Sequence, residues 1–315
     1  MEKTRQFIEK LGFPSTGGSA HLPTSTKTFP DGAQYRVELP SVEGPASFEA
    51  LVDSCKDYDV HIHRISQGSG IMLLTDEELE KMAEIGRREN LEVSLFVGPR
   101  GTFDITPMQH ASAGKIAGLR SQGVDQLVYA IEDIKRACDF GIRSILVSDE
   151  GLLALVNECR KAGELPDDLI VKISVQMAQS NPVSIKLIQD AGADTYNVPT
   201  DLTLAKLSEI RQAIDIPIDI YVEAPDDVGG YIRHYEIPEI IRVAAPVYIK
   251  FGLRNSPNIY PSGTHLESTS IALCKERVRR AKIGLDLLKR YAPDLKTSEK
   301  GAEGLAVPVQ KVAAN

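Results

Sequence analysis

The sequence contains no tryptophan, only four cysteines and no long apolar run, and these absences exclude several classes of protein. None of the cysteines forms a C-x-x-C pair, which disfavours a zinc or redox motif and indicates free thiols in a reducing compartment. No apolar stretch approaches the roughly 20 residues of a membrane span, and the N-terminus lacks the apolar core of a signal peptide. We therefore expect a cytoplasmic protein with no membrane partner.

Positive charge is also scarce. The 36 Lys and Arg residues face 44 Asp and Glu residues, which gives a formal net charge of -8. This balance disfavours a nucleic-acid partner, because binding to a phosphate backbone requires a basic surface. The sequence also lacks a G-x-G-x-x-G dinucleotide fingerprint and a G-x-S-x-G nucleophile motif. A globular protein with a small-molecule substrate is expected, and a homo-oligomer remains an open alternative.

A strand followed by a helix repeats along the chain. Between residues 169 and 255 the repeat length is roughly 25 to 30 residues, the size of one βα unit. Extending the pattern in both directions gives eight predicted strands, at residues 35–39, 60–65, 91–97, 142–147, 169–176, 193–198, 216–223 and 247–251. The pattern predicts an α/β fold, a single-domain (β/α)8 TIM barrel.

The predicted barrel spans residues 35–295. An N-terminal helix and loop arm precedes it at residues 1–34, and a flexible tail rich in Ala, Gly and Lys follows at residues 296–315. Long loops at residues 12–34 and 98–123 interrupt the regular pattern, and loops of such length are commonly functional or mobile.

Polar residues alternate with apolar ones along several predicted strands. In a barrel the apolar parity faces the helices, so the polar parity points into the lumen, and reactive groups lie at the C-terminal ends of the strands. This reasoning selects Glu38, His61, His63, Lys172, Ser174, Gln176, Asn197, Glu223 and Lys250. Arg36, Lys172 and Asp219 lie low in their strands, where a buried layer of salt bridges is the alternative to a role in a site.

His61 and His63 form the most specific pair. Two imidazoles on one side of a strand resemble strand-borne metal ligands, and Glu223 or Glu38 would add a carboxylate. Because no third histidine stands at another strand end, the pattern favours histidines that bind substrate or transfer protons. A divalent metal ion held by His61, His63 and Glu223 is the alternative.

Lys250 is predicted to be the residue on which the chemistry depends most. It lies between Ile249 and Phe251 on the eighth strand, where desolvation would lower the pKa of its amine and favour a Schiff-base nucleophile. Glu223 on the neighbouring strand would instead keep Lys250 charged, as an anchor for an anionic substrate. Arg100 and Arg254 follow the third and eighth strands and are candidates for binding a substrate carboxylate.

The central part of the chain resembles the peptidase U32 family of collagenase-like proteins. The resemblance lies in an S-x-Q strand at Ser174 and Gln176, an asparagine that opens the next helix, a Gly-Ala turn at Gly192 and the helix at residues 202–211. It implies a barrel in which Ser174 and Gln176 are lumen residues. The Cys-rich signature of the family is replaced after the seventh strand by Glu223-Ala-Pro-Asp-Asp, so the resemblance implies no thiol or cluster chemistry.

The expected function is that of a peptidase U32-like enzyme. It would act on a small carboxylate-bearing substrate at the C-terminal mouth of the barrel, by acid/base or metal-assisted hydrolysis or lysis. A Schiff-base aldolase or lyase and a non-catalytic metabolite-binding barrel are the alternatives. The expected catalytic residues are Glu38, His61, His63, Glu223 and Lys250, and the expected binding residues are Arg100, Lys172, Ser174, Gln176, Asn197 and Arg254.

Overall fold

The computed structural model describes residues 1–13, 18–99 and 119–311. Within these ranges eight parallel strands form a closed barrel in chain order, and the last strand pairs with the first. The strands are β1 (Tyr35–Pro40), β2 (Arg64–Gln67), β3 (Glu92–Val97), β4 (Ser144–Val147), β5 (Ile170–Ile173), β6 (Thr195–Asn197), β7 (Ile218–Glu223) and β8 (Val247–Phe251). The predicted (β/α)8 TIM barrel is confirmed.

A helix follows each strand, and one further helix precedes the barrel. The helices are α1 (Glu2–Lys10), α2 (Pro45–Tyr58), α3 (Asp76–Glu89), α4 (Gly123–Asp139), α5 (Glu150–Ala162), α6 (Pro182–Asp190), α7 (Leu204–Ala213), α8 (Ile237–Ala244) and α9 (Glu267–Tyr291). None of the helices in the described ranges combines the length and the apolarity that crossing a membrane requires.

Local sequence signals explain where several helices begin. Thr75 forms a capping box with Glu78, three residues later: its hydroxyl accepts from the Glu78 N–H at 3.2 Å, and the Glu78 carboxylate accepts from the Thr75 N–H at 2.8 Å. Asp149 caps α5 through the Leu152 N–H, and Asn181 caps α6 through the Ser184 N–H. These bonds satisfy backbone donors that a helix N-terminus otherwise leaves free.

The hydrophobic core lies between the strands and the helices. One parity of each strand is apolar and fully buried, for example Val37 and Leu39 on β1 and Ile249 and Phe251 on β8. Burying each such side chain stabilises the fold by about 1.5–3 kcal/mol. The lumen on the other parity is polar and charged, whereas a TIM-barrel lumen is usually filled with branched apolar side chains.

The second strand lies four residues later than predicted. The pairing with β1 aligns Glu38 with Arg64 and Pro40 with Ser66, so β2 begins at Arg64 and the prediction of a strand at 60–65 is wrong. The His63 N–H donates to the Val37 carbonyl of β1 at 2.9 Å, whereas the His63 carbonyl accepts from the Glu92 N–H of β3 at 3.0 Å; in a regular strand both backbone groups of one residue point to the same neighbour. The chain therefore changes direction before Arg64. The side on which His61 and His63 lie cannot be inferred from the alternation along β2.

Two segments from the ends of the chain close the N-terminal end of the barrel. Phe29 of the arm packs against Arg36, whose guanidinium carbon is 4.1 Å from the ring centre. The Arg36 guanidinium donates to the Ser298 hydroxyl at 2.8 Å and to the Glu303 carbonyl at 2.6 Å. The predicted flexible tail thus packs on the barrel as far as Lys311, whose amine is 3.1 Å from Glu80.

Candidate functional site

A network of charged side chains fills the middle of the lumen, with Glu38 at its centre. The carboxylate atom Oε1 of Glu38 accepts hydrogen bonds from Lys172 and from the Ser66 hydroxyl at 2.7 Å, and Lys250 Nζ forms an ion pair with it at 3.2 Å. Oε2 accepts from Arg64, with distances of 2.7 Å to Nε and 2.6 Å to Nη2. These donors come from three strands, β2, β5 and β8, so closure of the barrel is what assembles the network around Glu38 of β1.

Arg64 links Glu38 to two further carboxylates. Its Nη2 atom is 2.7 Å from Asp219, and its Nη1 atom is 3.5 Å from Glu92. The guanidinium also stacks on the ring of Tyr248 at 3.6 Å. Three basic side chains therefore face three carboxylates in a buried layer, which is the pairing that buried charges require.

The amine of Lys250 is held by contacts from several directions. When the Asn197 amide is oriented so that both of its ends are satisfied, its oxygen accepts from Lys250 Nζ at 2.8 Å and its nitrogen donates to the Asp219 carbonyl at 3.1 Å. The Tyr221 ring lies 4.3 Å from Nζ, in a cation–π contact. Together with Glu38 these neighbours fix the position of Nζ.

A small cavity of about 90 Å³ opens above this layer, at the C-terminal ends of the strands. Lys250, Asn197 and Tyr221 line it together with polar residues of the surrounding loops, namely Ser66, Gln67, Ser174, Gln176, Asp227 and Tyr260. Tyr260 lies against Gly68, where a Cβ atom would come within 2.6 Å of its ring. A side chain at position 68 would therefore displace this wall of the cavity.

A larger groove of about 1230 Å³ lies outside the barrel, between the N-terminal arm and the segments that follow β6 and β7. Its two central arginines are engaged by the chain itself. Arg233 bonds Glu236 and the carbonyls of Thr200 and Leu202, and Arg242 bonds Glu239 and the arm. The smaller mouth cavity is the better candidate site, since the charged lumen network meets it.

Burial and neighbouring charges set the ionisation of this network. Burial opposes ionisation of Glu38, but Arg64, Lys172 and Lys250 together hold its pKa well below its usual range. Burial and the Arg64 charge lower the pKa of Lys172 to about 7, against the attraction of Glu38 and Asp219. Burial raises the pKa of Tyr221, so its phenol stays protonated beside Lys250.

Glu223 does not share a site with Lys250. The β7–β8 pairing is irregular between Tyr221 and Glu223, and this bulge changes the direction of the following side chain. The buried Glu223 carboxylate lies 3.4 Å from Arg280 on α9 and 3.4 Å from His234, which precedes α8. The expectation that Glu223 pairs with Lys250 is therefore wrong, and Glu38 is the partner.

The two histidines lie at the opposite end of the barrel from the mouth. The ring of His63 accepts from the Val37 N–H at Nδ1 (3.0 Å) and donates from Nε2 to the Ser298 carbonyl (2.8 Å). His61 stacks on His63, with ring centres 4.6 Å apart. The hypothesis of one site formed by these histidines and Glu223 is wrong, because the register of β1 and β2 separates them.

The predicted ligand set for a metal ion is not assembled. Both ring nitrogens of His63 are occupied by the backbone, which leaves no lone pair for a metal. In the ranges 1–13, 18–99 and 119–311, no three His, Cys, Asp or Glu side chains converge as metal ligands.

The remaining predicted residues fall into three groups. Ser174, Gln176 and Asn197 line the mouth cavity, and Lys172 lies buried beneath it in the charged network. Arg254 lies at the rim, half exposed, with its Nε atom 3.4 Å from Asp226. Arg100 falls within residues 100–118, which lie outside the described residues, as do residues 14–17 of the arm and 312–315 of the tail.

Sequence reasoning missed Arg64, which is the principal cation of the network. The signal was available in the predicted second strand, where a charged residue stands between Ile62 and Ile65 and breaks the alternation. Tyr260 and Gln67 were also missed. Tyr260 lies in a loop, where periodicity gives no information on direction, and Gln67 is the last residue of β2, beyond the end of the predicted strand.

The comparison with known protein families matches several of the strands that form the site. The model of peptidase family U32 matches residues 120–224, about a third of the chain, which includes β4 to β7. The chain partly resembles peptidase family U32. This resemblance, predicted from the S-x-Q strand, is confirmed. Among curated protein sequences, none matches this chain.

Solved structures share the fold at low sequence identity. The U32 peptidase Mk0906 is 17% identical, with a TM-score of 0.38, over 66% of this chain and 75% of that one. A protein assigned as a fructose-1,6-biphosphate aldolase from Coccidioides immitis is 15% identical, with a TM-score of 0.51, over 82% and 92%. A truncated 3-deoxy-D-arabino-heptulosonate 7-phosphate synthase from Thermotoga maritima is 15% identical, with a TM-score of 0.46, over 84% and 94%. The aldolase likeness supports the barrel fold alone.

Proposed function

We propose that the chain is an enzyme that acts on a small carboxylate-bearing molecule at the C-terminal mouth of the barrel. In this proposal the Lys250 ammonium binds the carboxylate or carbonyl oxygen of the substrate. The observation that carries the proposal is the position of Lys250, which lines a cavity of about 90 Å³ while Asn197 and Glu38 hold its Nζ atom. A fixed cation at the base of a small polar cavity complements a small anion.

The reaction class follows from the groups around the cavity. An ammonium that donates to a carbonyl oxygen withdraws electrons, which promotes loss of a proton or cleavage of a bond next to that carbonyl. Asp227 lines the same cavity and is exposed, so its carboxylate is the proposed proton acceptor. We assign the reaction to the lyase or hydrolase type. The partial resemblance to peptidase family U32 favours hydrolysis, since it includes the strands that supply Ser174 and Gln176.

The charged network in the lumen favours a catalytic role over a purely structural one. Replacing a buried set of ion pairs with apolar side chains is often neutral or stabilising, so the network is not needed for the barrel to fold. It does fix Lys250 at one place, because Nζ is held from several directions. Such preorganisation is what a site for electrostatic catalysis requires.

A Schiff-base mechanism is the second candidate, and one observation favours it. Burial lowers the pKa of Lys172 to about 7, and Lys172 and Lys250 contact the same oxygen of Glu38. The pair can therefore lose a proton near neutral pH. A neutral Lys250 would attack a substrate carbonyl. Borohydride treatment with pyruvate would then add a stable mass to the peptide that contains Lys250, and an unmodified peptide would exclude this candidate.

Thermal unfolding with small acids tests the proposal. Pyruvate, lactate and malonate are each added to the full chain, and binding to the folded state raises the unfolding temperature. We expect at least one acid to stabilise the wild type but not Lys250→Met. Lys282→Met is the matched control, since Lys282 pairs with Asp286 at 2.9 Å on the surface of α9. Equal stabilisation of wild type and Lys250→Met would refute the proposal.

A further inference from the structure

Two lysines with different access to solvent share one carboxylate oxygen. Lys250 lines the mouth cavity, whereas Lys172 is fully buried below it and is not part of the cavity wall. Both amines contact Oε1 of Glu38, which also accepts from the Ser66 hydroxyl at 2.7 Å. This oxygen therefore connects the buried lysine with the accessible one, through a hydrogen bond from Lys172 and an ion pair with Lys250.

The two amines have different surroundings. Lys250 contacts the Glu38 carboxylate, the Asn197 amide oxygen and the Tyr221 ring. Lys172 has Glu38 as its close partner and Asp219 only at 3.9 Å, and the charges of Arg64 and Lys250 act against its own. Burial and these charges lower the pKa of Lys172 to about 7, so Lys172 is a group of the network that can release a proton near neutral pH.

We propose that Lys172 is a positioning residue that stores a proton for Lys250 and delivers it through Glu38. This inference rests on the proposed function, in which Lys250 donates to a substrate oxygen. Where the donated proton passes completely to the substrate oxygen, an N–H bond of Lys250 breaks as an O–H bond forms, and Lys250 is left as a neutral amine. An N–H bond of Lys172 then breaks as an O–H bond forms on Oε1 of Glu38, and the same carboxyl passes a proton to Lys250. The result is a neutral Lys172, an ionised Glu38 and a restored Lys250 ammonium.

The proposal also couples anion binding to pH. In the described residues, the charged and titratable groups that face Lys172 are Glu38 from β1, Arg64 from β2, Asp219 from β7 and Lys250 from β8. An anion above Lys250 adds negative charge to this layer and so favours the protonated form of Lys172. Anion affinity should fall as the pH rises through the range in which Lys172 loses its proton, about pH 7.

Nuclear magnetic resonance of the full chain with ¹³C-labelled lysines tests the inference without a ligand. We expect one lysine Cε signal to titrate near neutral pH and to be missing in Lys172→Met. The signal lost in Lys250→Met should shift at the same pH, because the two amines share one oxygen. If every lysine signal titrates above about pH 9, close to the ordinary lysine value, the inference is wrong.

Two further measurements keep the test decisive. If Lys172→Met does not fold, Ser66→Ala removes a neutral donor to the shared oxygen and should shift the lysine titration that occurs near neutral pH, while Lys282→Met should not.

Pyruvate affinity, measured by calorimetry, should be about fivefold weaker at pH 8.5 than at pH 6 in the wild type, since one buried positive charge is lost. Binding that needs Lys250 but does not change with pH would overturn the inference and leave the proposed function standing. Binding that does not need Lys250 would refute the proposed function, and the lysine titration would still decide the role of Lys172.

Discussion

At the N-terminal end of the barrel, Arg36 and His63 bond to the backbone and side chains of the segment around Ser298, whereas at the C-terminal end Lys250 faces a cavity. Both ends bury charged or ionisable groups. At the first end the chain itself provides the hydrogen-bond partners of the ring and the guanidinium. At the second end the partners of Lys250 leave one side of the amine open to a small molecule.

This difference separates structural from functional polar residues. A buried polar group whose partners are backbone carbonyls and amides ties chain segments together, as Arg36 does with the carbonyls of Glu303 and Gly304. A buried cation that is held in place by side chains and also lines a cavity can bind a molecule that enters the cavity. Residue type alone does not distinguish the two cases, since a buried basic side chain occurs at each end, Arg36 at the first and Lys250 at the second.

The largest effect is expected for Glu38→Gln. This change removes the carboxylate that faces Arg64, Lys172 and Lys250, and leaves buried cations without compensation. The free energy of unfolding should fall by about 3–5 kcal/mol in urea denaturation. The control is Glu49→Gln, because the exposed Glu49–Arg88 pair contributes less than about 1 kcal/mol. A loss for Glu38→Gln no greater than that of the control would contradict the central place of Glu38.

Arg36→Met should destabilise the fold without changing the mouth. The Ser298 hydroxyl and the carbonyls of Glu303 and Gly304 lose their donors, which should cost about 2–4 kcal/mol. The stabilisation that small acids give at the mouth should remain, as thermal unfolding with pyruvate would reveal. Loss of that stabilisation in a folded Arg36→Met protein would show that the two ends are coupled.

His63 should make the N-terminal end sensitive to acid. Burial lowers the pKa of His63 from its usual value to about 3, although the Ser298 carbonyl opposes this shift. The unfolded chain then binds more protons than the folded chain from about pH 3 to about pH 6.5, so stability is lost as the pH falls below about 6.5. Between pH 7 and pH 5 the wild type should lose about 2 kcal/mol more than His63→Gln in urea denaturation. An identical pH dependence in both proteins would rule out this role of His63.

The smallest effect on stability is expected for Lys250→Met. The change removes one buried cation, while Arg64 and Lys172 continue to compensate Glu38. The unfolding free energy should change by no more than about 1 kcal/mol, because the desolvation cost of the ammonium is removed with its attraction. A much larger loss in the same urea experiment would mean that Lys250 is a structural residue like Arg36.

The sequence predicts the fold well because the fold depends on local patterns. Strand β8 occupies the predicted residues 247–251, and the capping box at Thr75 begins α3 as its spacing indicates. Both follow from hydrophobic periodicity and from hydrogen bonds between residues close in sequence. Lys250 and Glu38 point into the lumen for the same reason.

The site is predicted less well because its contacts are distant in sequence. A bulge after Tyr221 redirects Glu223, and no glycine or proline marks it within the strand. The start of β2 depends on pairing with β1, so the pattern around His63 does not reveal that the tail reaches its ring. Composition likewise indicated a flexible tail, whereas the carbonyls of its residues bind Arg36.

The most direct test of the account is the affinity of a small acid for the mouth, measured by titration calorimetry at neutral pH. The titrations use the acid that stabilises the wild type most, with Lys250→Met as the variant and Lys282→Met as the surface control. We predict that Lys250→Met raises the dissociation constant at least about tenfold, the equivalent of one charge-assisted hydrogen bond, and that the control leaves it unchanged. An unchanged dissociation constant in Lys250→Met would contradict the assignment of the C-terminal mouth as the site.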